Sequence, residues 1–475
     1  MLSKKTCSSI GLDFVISKLE CFSYYGNEKI RNLLSLILDE LPLVEIRNGL
    51  NLEIPFGNLN LGFLKLETCF KNISLLGKLS QNHLANLQDS LARFKNIKGI
   101  IKKLESASLS EIDFFEVKVF LLALENFFDI WDKMPFVPED ILFAKMTDAL
   151  DLLDENKQRA ASFFIEDGGY PLLRDIRRQK MQIEALIDKD GMADELIQKR
   201  AKVAAREDVH EKEALKDLSG KLRPFANQFI LNIENIAELD FLLAKSVLAK
   251  NTGASCPSLF TKNVVLKNMW NPYNQSELSK HGKKFTKISI ELEPGATVIT
   301  GANMGGKSIA IKSAVLNVAL ANLGFFVFAE EAEMPVFDDI CFIEENTGDN
   351  FVSSFGAEIL QINQVISKLD KEKLFIAIDE PARATNPAEG AKITKGLVSY
   401  FTKQNSVAII STHYDNVHQN ANAHYQTAGI NFSKLDDINY ELRKAAKDAK
   451  VPAEAINLCR ILGLNTSLLA EIERL

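Results

Sequence analysis

The chain has 475 residues, a length that allows roughly three domains of about 150 residues and several buried cores. Apolar residues make up 46% and charged residues 25% of the sequence, a balance that excludes a disordered or fibrous protein. The net charge is -7 and the pI is about 5.6, which is the wrong sign for a protein that mainly coats nucleic acid.

The cysteines and the N-terminal residues indicate in which cellular compartment the protein is expected. Six cysteines are scattered without a close pair, so they predict neither a zinc site nor a disulfide framework. The N-terminus leads into a helical pattern with interspersed charges rather than an apolar signal sequence. No run of about 18 uncharged apolar residues follows, and such a run would be needed to span a membrane. We therefore expect a cytoplasmic protein with no membrane partner.

Residues 1–250 carry apolar side chains at helical spacing almost throughout, and we expect an all-helical core and lever domain there. Short extended segments are predicted only around Val44 to Asn58, where Pro and Gly residues interrupt the pattern. Two long helices are predicted at the end of this half, from Tyr170 to Arg206 and from Asp208 to Leu248. The second has an interruption near Ser219-Gly220 and Pro224, and a short turn near residues 206–208 would join the two.

The pattern changes after residue 250, where a linker containing Gly253 and Pro257 precedes alternating strands and helices. Continuous apolar runs predict strands at Val298-Ile299, Leu374–Ile378 and Val407–Ile410. Because two-sided apolar strands between helices are typical of parallel sheets, residues 251–435 predict an α/β domain with a mostly parallel sheet. Residues 436–475 carry two helical patterns and are predicted to form a short helical tail.

The clearest chemical motif lies between the strand at Val298-Ile299 and a predicted helix from Ile309 to Ala321. Its residues satisfy G-x-x-x-x-G-K-[ST], the pattern of a P-loop, with a ligand-free glycine-rich turn as the alternative. Backbone N–H groups of such a loop bind phosphate oxygens, Lys307 would neutralise the β- and γ-phosphates, and Ser308 would ligate Mg²⁺. We therefore predict a site for ATP and Mg²⁺. The loop residues predicted to contact the nucleotide are Gly301, Asn303, Met304, Gly305, Gly306, Lys307, Ser308 and Ile309.

Two carboxylates follow the apolar run Leu374–Ile378. Asp379 is predicted to hold Mg²⁺ through its water shell, and Glu380 to orient and activate the attacking water. Solvated carboxylates in a turn are the alternative for this pair. Together with Lys307 and His413, Glu380 forms the predicted catalytic set.

Two further residues are candidates for the nucleotide site only because of where they lie relative to predicted strands. His413 follows a predicted strand at the end where open α/β sheets bind ligands, so it is a candidate sensor of the γ-phosphate. Phe285 precedes a predicted strand from Ile288 to Leu292 and is a candidate to stack on adenine. For both residues, a structural role in the core is the alternative.

These motifs resemble the ATPase domain of the MutS family of DNA mismatch-repair proteins. The resemblance rests on Asn303–Ser308, Ser353–Glu358, Asp379–Gly390 and Ser411–Tyr414. It implies an ABC-like P-loop NTPase domain with ATP and Mg²⁺ as ligands. In the family, the first serine of the second segment reaches the nucleotide of the partner subunit, so the resemblance implies a nucleotide contact in trans for Ser353.

The resemblance also implies a dimer with composite sites, either a homodimer or a heterodimer with a related subunit. The tail at 436–475 is similar to the family's dimerising segment. Ala302 stands where the family usually has Pro, and Ile309 where it usually has Thr. The chain begins in helical material and its lever helices are joined by a short turn. We therefore expect neither the family's mismatch-reading domain nor its DNA clamp.

Two outputs of ATP hydrolysis remain open. The first is binding of DNA structures in the manner of mismatch repair. The second is remodelling of a protein client, as implied by short MutS-like proteins that accompany cobalamin-dependent lysine aminomutases and are thought to reactivate them. Basic residues at 174–180 and 199–206 are interleaved with carboxylates and are interpreted as a solvated lever face, which favours the second output. A binding-only ATP switch is a third possibility, against which Glu380 argues.

Overall fold

The computed structural model describes residues 4–38, 59–190, 194–301, 306–344, 354–427, 441–446, 459–460 and 463–474. They divide into two compact units. The first comprises Met1–Leu19, Ile30–Gly77 and Ala244–Leu475, and the second comprises Glu20–Lys29 and Lys78–Leu243. Within the described ranges, no helix has the length and apolar character needed to cross a membrane.

Helices make up most of the described chain before residue 253, as predicted. The extended segment predicted at 44–58 lies outside the described residues. In chain order the helices are α1 (Lys4–Ile10), α2 (Leu12–Ile16), α3 (Tyr24–Leu38), α4 (Leu59–Gly77), α5 (Gln81–Ala92), α6 (Lys98–Ser106), α7 (Glu111–Trp131), α8 (Thr147–Leu153), α9 (Pro171–Asp190), α10 (Asp194–Leu222) and α11 (Ala226–Thr252).

The second unit is built around phenylalanine side chains. The ring of Phe120 in α7 lies 5.2 Å from that of Phe94 and 5.9 Å from that of Phe229, measured between centroids. Phe127, two turns further along α7, lies 5.9 Å from Phe94, and all four rings are buried. Large aromatic rings bury more apolar area than other side chains, so these contacts form the core of the unit.

One boundary of the lever helices differs from its prediction. α10 runs unbroken through residues 206–208, so the turn predicted there is wrong. α9 ends at Asp190, immediately before Gly191 in the sequence. Glycine is the most frequent residue just past a helix end, so Gly191 is a better predictor of where the first lever helix ends than the charged residues at 206–208. The interruption near Pro224 is confirmed by a 3-10 turn at Arg223–Phe225. The interruption predicted at Ser219-Gly220 is wrong, because α10 continues to Leu222.

Carboxylates neutralise much of the positive charge on α9 and α10. Glu207 lies 2.5 Å from the ammonium of Lys180 and 3.5 Å from the guanidinium of Arg177. Glu184 lies 2.8 Å from the guanidinium of Arg200. A surface that tracks phosphates needs concentrated positive charge, so these ion pairs support the interpretation of a charge-balanced lever face.

Strands begin after α11 and alternate with helices. The strands are β1 (Val264–Met269), β2 (Ile288–Leu292), β3 (Gly295–Thr300), β4 (Glu331–Glu333), β5 (Asp339–Ile343), β6 (Leu374–Asp379), β7 (Val407–Thr412), β8 (Ala423–Thr427) and β9 (Leu442–Lys444). The helices among them are α12 (Pro272–Lys280), α13 (Lys307–Asn322), α14 (Ser354–Lys368), α15 (Pro387–Phe401) and α16 (Thr466–Arg474).

The larger of two sheets has the order β5-β6-β7-β3-β8-β9, and β2, β1 and β4 form a small antiparallel sheet. All pairs of the larger sheet are parallel except β8 with β9. Every residue of β3 and β7 is buried, because helices cover both faces. The predicted α/β domain with a mostly parallel sheet is therefore confirmed, and the carboxyl ends of five parallel strands share one edge.

The N-terminal helices belong to the same compact unit as this sheet. α1 contacts α13, and the side-chain amide of Asn271 donates a hydrogen bond of 2.9 Å to the carbonyl of Ile10. The compact units therefore do not follow the order of the sequence. The boundaries 1–250, 251–435 and 436–475 remain a prediction of domain organisation.

The C-terminal region contains one strand that its sequence pattern does not predict. Leu442 of β9 lies opposite Thr427 of β8. At the other end of the pairing between β8 and β9, the imidazole of His424 contacts the hydroxyl of Thr300 at 2.8 Å and the carbonyl of Ala446 at 3.1 Å. A wholly helical tail is therefore wrong at β9, since three residues are too few to show strand alternation. α16 is helical, and the dimerising role of the tail stays a prediction.

Candidate nucleotide site

Two glycines flank the predicted phosphate loop, at the end of β3 and the start of α13. Gly301 has a φ of +146° and Gly306 a φ of +92°, both in the region that favours glycine. A Cβ atom at Gly301 would lie 2.0 Å from the hydroxyl oxygen of Thr427. Position 301 therefore accepts only glycine. Asn303, Met304 and Gly305 lie outside the described residues.

Lys307 begins α13 and carries a buried ammonium. Its Nζ donates a hydrogen bond of 2.8 Å to the carbonyl of Gly301 and lies 3.1 Å from Oε1 of Glu380. A buried charge requires such partners, and phosphate oxygens can replace them. Ser308 and Ile309 follow in the same first turn and are partly exposed.

The two predicted acidic residues lie at the end of β6, next to the end of β7. The hydroxyl of Ser411 donates to Oδ1 of Asp379 and accepts a hydrogen bond of 2.9 Å from the backbone N–H of Glu380. One serine therefore positions both residues. The sequence predicts the acidic pair from a continuous apolar strand that two acidic residues follow. It does not predict that Ser411 binds them, because this contact depends on the pairing of β6 with β7.

The backbone that follows Asp379 adopts an unusual conformation. Glu380 has a φ of +49° and Ala382 a φ of +58°, values that non-glycine residues rarely adopt. The N–H of Ala382 donates a hydrogen bond of 2.9 Å to Glu358 of α14, and its carbonyl accepts one of 3.1 Å from the Tyr414 hydroxyl. These two contacts hold the strained turn. Neither Glu358 nor Tyr414 was among the predicted site residues, although both lie in motifs quoted above.

Two more cationic or titratable groups approach Glu380. Arg383 Nη1 lies 3.2 Å and His413 Nδ1 4.0 Å from Oε2 of Glu380. Burial holds the pKa of His413 below its usual range; Lys307 and Arg383 act in the same direction, and Glu380 opposes them. The imidazole is therefore neutral near pH 7, and its buried Nδ1 has no hydrogen-bond partner among the described residues.

The structure brings Lys307, Asp379, Glu380 and His413 together at the carboxyl edge of the sheet. Residues 297–470, which include these four, match the family model described as MutS domain V. This part of the chain is therefore similar to the MutS family. The predicted resemblance is confirmed over the part of the chain that holds these four residues.

Curated relatives named Endonuclease MutS2 each match a little under half of this chain. An Endonuclease MutS2 of Leuconostoc mesenteroides is 28% identical over 224 residues, which is 46% of this chain and 27% of the relative. An Endonuclease MutS2 of Ligilactobacillus salivarius is 30% identical over 220 residues, again 46% of this chain and 27% of the relative. That of Lactobacillus helveticus is 32% identical over 216 residues, 43% of this chain and 27% of the relative. The match thus covers about a quarter of each relative.

Residues 297–470 contain a donor set that would suit ATP and Mg²⁺, the ligands that the similarity to MutS domain V implies. The Ser308 hydroxyl and the Asp379 carboxylate are oxygen donors of the kind that Mg²⁺ and its water shell prefer, and Lys307 at a helix N-terminus would supply positive charge for phosphate. Phe285 lies outside the matched residues and is partly exposed before β2, and its stacking on adenine stays a prediction. Ser353 lies outside the described residues, so its role in trans also stays a prediction.

Replacing Gly301 with alanine tests the close approach of β8 to the phosphate loop. We expect Gly301→Ala to weaken nucleotide binding at least about tenfold, because the new Cβ clashes with Thr427 and the backbone conformation favours glycine. Titration with a fluorescent ATP analogue measures the loss. Adding Thr427→Ala should restore part of the affinity. Normal binding by the single Gly301→Ala variant would contradict this account of the loop.

Proposed function

We propose that this chain binds and hydrolyses ATP with Mg²⁺ at the carboxyl edge of its parallel sheet. The observation that carries the proposal is the buried ammonium of Lys307, held at a helix N-terminus between the Gly301 carbonyl and the Glu380 carboxylate. That is the charge arrangement expected where phosphate binds next to a general base. The similarity of residues 297–470 to MutS domain V supports it.

Each residue has a distinct task in this proposal. Lys307 binds the β- and γ-phosphates, while Ser308 and Asp379 hold Mg²⁺, which when bound neutralises charge on the phosphates. Glu380 accepts a proton from the attacking water, and the neutral His413 hydrogen-bonds the γ-phosphate. Because Glu380 now contacts Lys307 and Arg383, phosphate binding by Lys307 releases one of the two cations that hold this carboxylate.

We further propose that the active form is a dimer in which Ser353 completes the site of the partner subunit. A composite site can be tested by mixing two inactive variants, Ser353→Ala and Lys307→Ala. A mixed dimer contains one site with an intact Lys307 from one chain and an intact Ser353 from the other. We expect ATP hydrolysis to recover to roughly a quarter of the wild-type rate at equal mixing, since half of the dimers are mixed and each has one intact site. No recovery in the mixture would count against a composite site.

The output proposed for this ATPase is binding of DNA structures, as the family's role in mismatch repair suggests. One observation favours the alternative, a client-remodelling ATPase: carboxylates neutralise Arg177, Lys180 and Arg200 along the lever helices. Reactivation of a cobalamin-dependent lysine aminomutase is an example of that second output. The predicted cytoplasmic location stays a prediction in both cases.

Salt dependence of DNA binding separates the two outputs. If DNA is the ligand, affinity for duplex or branched DNA should fall by about tenfold or more between 50 and 200 mM salt, because phosphate contacts release counterions. Fluorescence anisotropy with labelled DNA measures this slope, with and without an ATP analogue. A chain that hydrolyses ATP but shows no salt-sensitive DNA affinity would exclude the DNA output and leave the remodelling output.

A further inference from the structure

Glu344 lies beside the proposed magnesium position, although no sequence motif marks it. It directly follows β5, whose last residue, Ile343, lies opposite Ile378 of β6 in the parallel register. Continuing that register by one residue places Glu344 opposite Asp379. Neighbouring strands lie about 4.8 Å apart, and residues in register point to the same face of a sheet. Glu344 and Asp379 are therefore neighbours at the same edge.

The carboxylate of Glu344 is held at one oxygen only. Its Oε2 accepts a hydrogen bond of 2.8 Å from the Ser9 hydroxyl of α1 and lies 3.3 Å from the ammonium of Lys312 on α13. Its Oε1 is buried and has no hydrogen-bond partner among the described residues. Leaving a buried polar atom without a partner is unfavourable, so such atoms usually face a water or an ion.

The space that Glu344 lines belongs to the proposed ATPase site. Asp379, Glu380 and Ser354 line the same small pocket. Carboxylate oxygens suit Mg²⁺ and the water molecules that it retains. Among the described residues, no three acidic, histidine or cysteine side chains lie close enough to bind a metal ion directly. Mg²⁺ retains several waters in such sites, so a carboxylate at this edge can act on the ion through one of them.

We propose that Glu344 is a magnesium-positioning residue, whose Oε1 accepts a hydrogen bond from a water of the Mg²⁺ shell on the side next to Asp379. Ser9 orients the carboxylate through its hydrogen bond to Oε2. The N-terminal helix α1 thereby contributes to the site. This inference rests on the proposed ATP and Mg²⁺ site and adds a residue to it.

A purely structural role makes a different prediction from a magnesium-positioning role. If Glu344 served only to pair with Lys312, removing either partner would have the same effect. If it positions Mg²⁺, only the loss of its own negative charge matters. Lys312→Met therefore serves as the matched control for Glu344→Gln, which keeps the shape of the side chain and an oxygen for Ser9.

The test measures metal binding and nucleotide binding separately in the full chain. Mn²⁺ affinity is measured by electron paramagnetic resonance with a non-hydrolysable ATP analogue, and affinity for the same analogue is measured in EDTA. We expect Glu344→Gln to weaken Mn²⁺ binding about tenfold, as for other outer-shell partners, and to leave analogue affinity in EDTA unchanged. Lys312→Met should bind Mn²⁺ like the wild type.

Two results would overturn the inference while leaving the proposed ATPase intact. The first is that Glu344→Gln binds Mn²⁺ as tightly as the wild type does. The second is that Glu344→Gln and Lys312→Met lose Mn²⁺ affinity to the same extent. Circular dichroism confirms that each variant is folded. If the unchanged chain binds no analogue even with Mn²⁺, the proposed function itself fails, and the inference is overturned with it.

Discussion

Lys307→Ala is expected to weaken ATP binding by at least about a hundredfold. The buried ammonium is proposed to donate charge-assisted hydrogen bonds to two phosphates, each contributing about 1.5–3 kcal/mol. Two such bonds correspond to a loss of roughly two to four orders of magnitude in affinity. Isothermal titration calorimetry with ATP and Mg²⁺ measures the change directly.

The control for this variant is Lys267→Ala, which removes an exposed lysine of β1 that pairs with Glu331 in the same compact unit. It should bind ATP like the wild type. An ATP affinity within threefold of wild type in Lys307→Ala would contradict the assignment of the phosphate site. The melting temperature of both variants shows whether the loss of a buried cation has unfolded the unit.

Glu380→Gln is expected to retain ATP binding and to lose hydrolysis by about two to four orders of magnitude. An amide has nearly the same shape as the carboxylate but cannot take a proton from water, and general-base catalysis typically contributes 10²- to 10⁴-fold. Affinity should be equal to or higher than that of the wild type, because Lys307 loses its ion pair with Glu380 and is free to bind phosphate. Phosphate release in single-turnover conditions measures the chemical step.

Glu389→Gln is the matched control, since Glu389 is an exposed carboxylate on the first turn of α15. It should hydrolyse ATP at the wild-type rate. Hydrolysis that persists in Glu380→Gln would assign the general base to another residue. A wild-type chain that binds ATP but never hydrolyses it would instead support the binding-only switch.

The parts of the fold that depend on local pattern could be predicted from the sequence. The strands at 298–299, 374–378 and 407–410 are two-sided apolar runs, and each lies in the observed sheet. Their burial on both faces leaves a clear pattern in a single stretch of chain. The predicted phosphate loop also rests on a single stretch of chain, because its glycines, Lys307 and Ser308 lie close together in the sequence, and its role stays a prediction.

Features that depend on contacts between distant segments could not be predicted. Glu344 has no motif of its own, and its place beside Asp379 comes from the register of β5 with β6. Ser9 reaches Glu344 only because α1 packs on α13, at a sequence separation of 335 residues. β9 is likewise too short to carry a pattern, and its pairing with β8 determines its structure.

The short strand β9 has a practical consequence for work with shortened forms of the chain. It pairs with β8, which itself pairs with β3, the strand that leads into the phosphate loop. Its Arg443 and Lys444 are exposed, and charged side chains on an edge strand hinder the pairing of that strand with strands of other molecules. A form ending before Leu442 would present the bare backbone of β8 to other copies. The resulting aggregation through β8 could be mistaken for the dimerisation that a composite site requires.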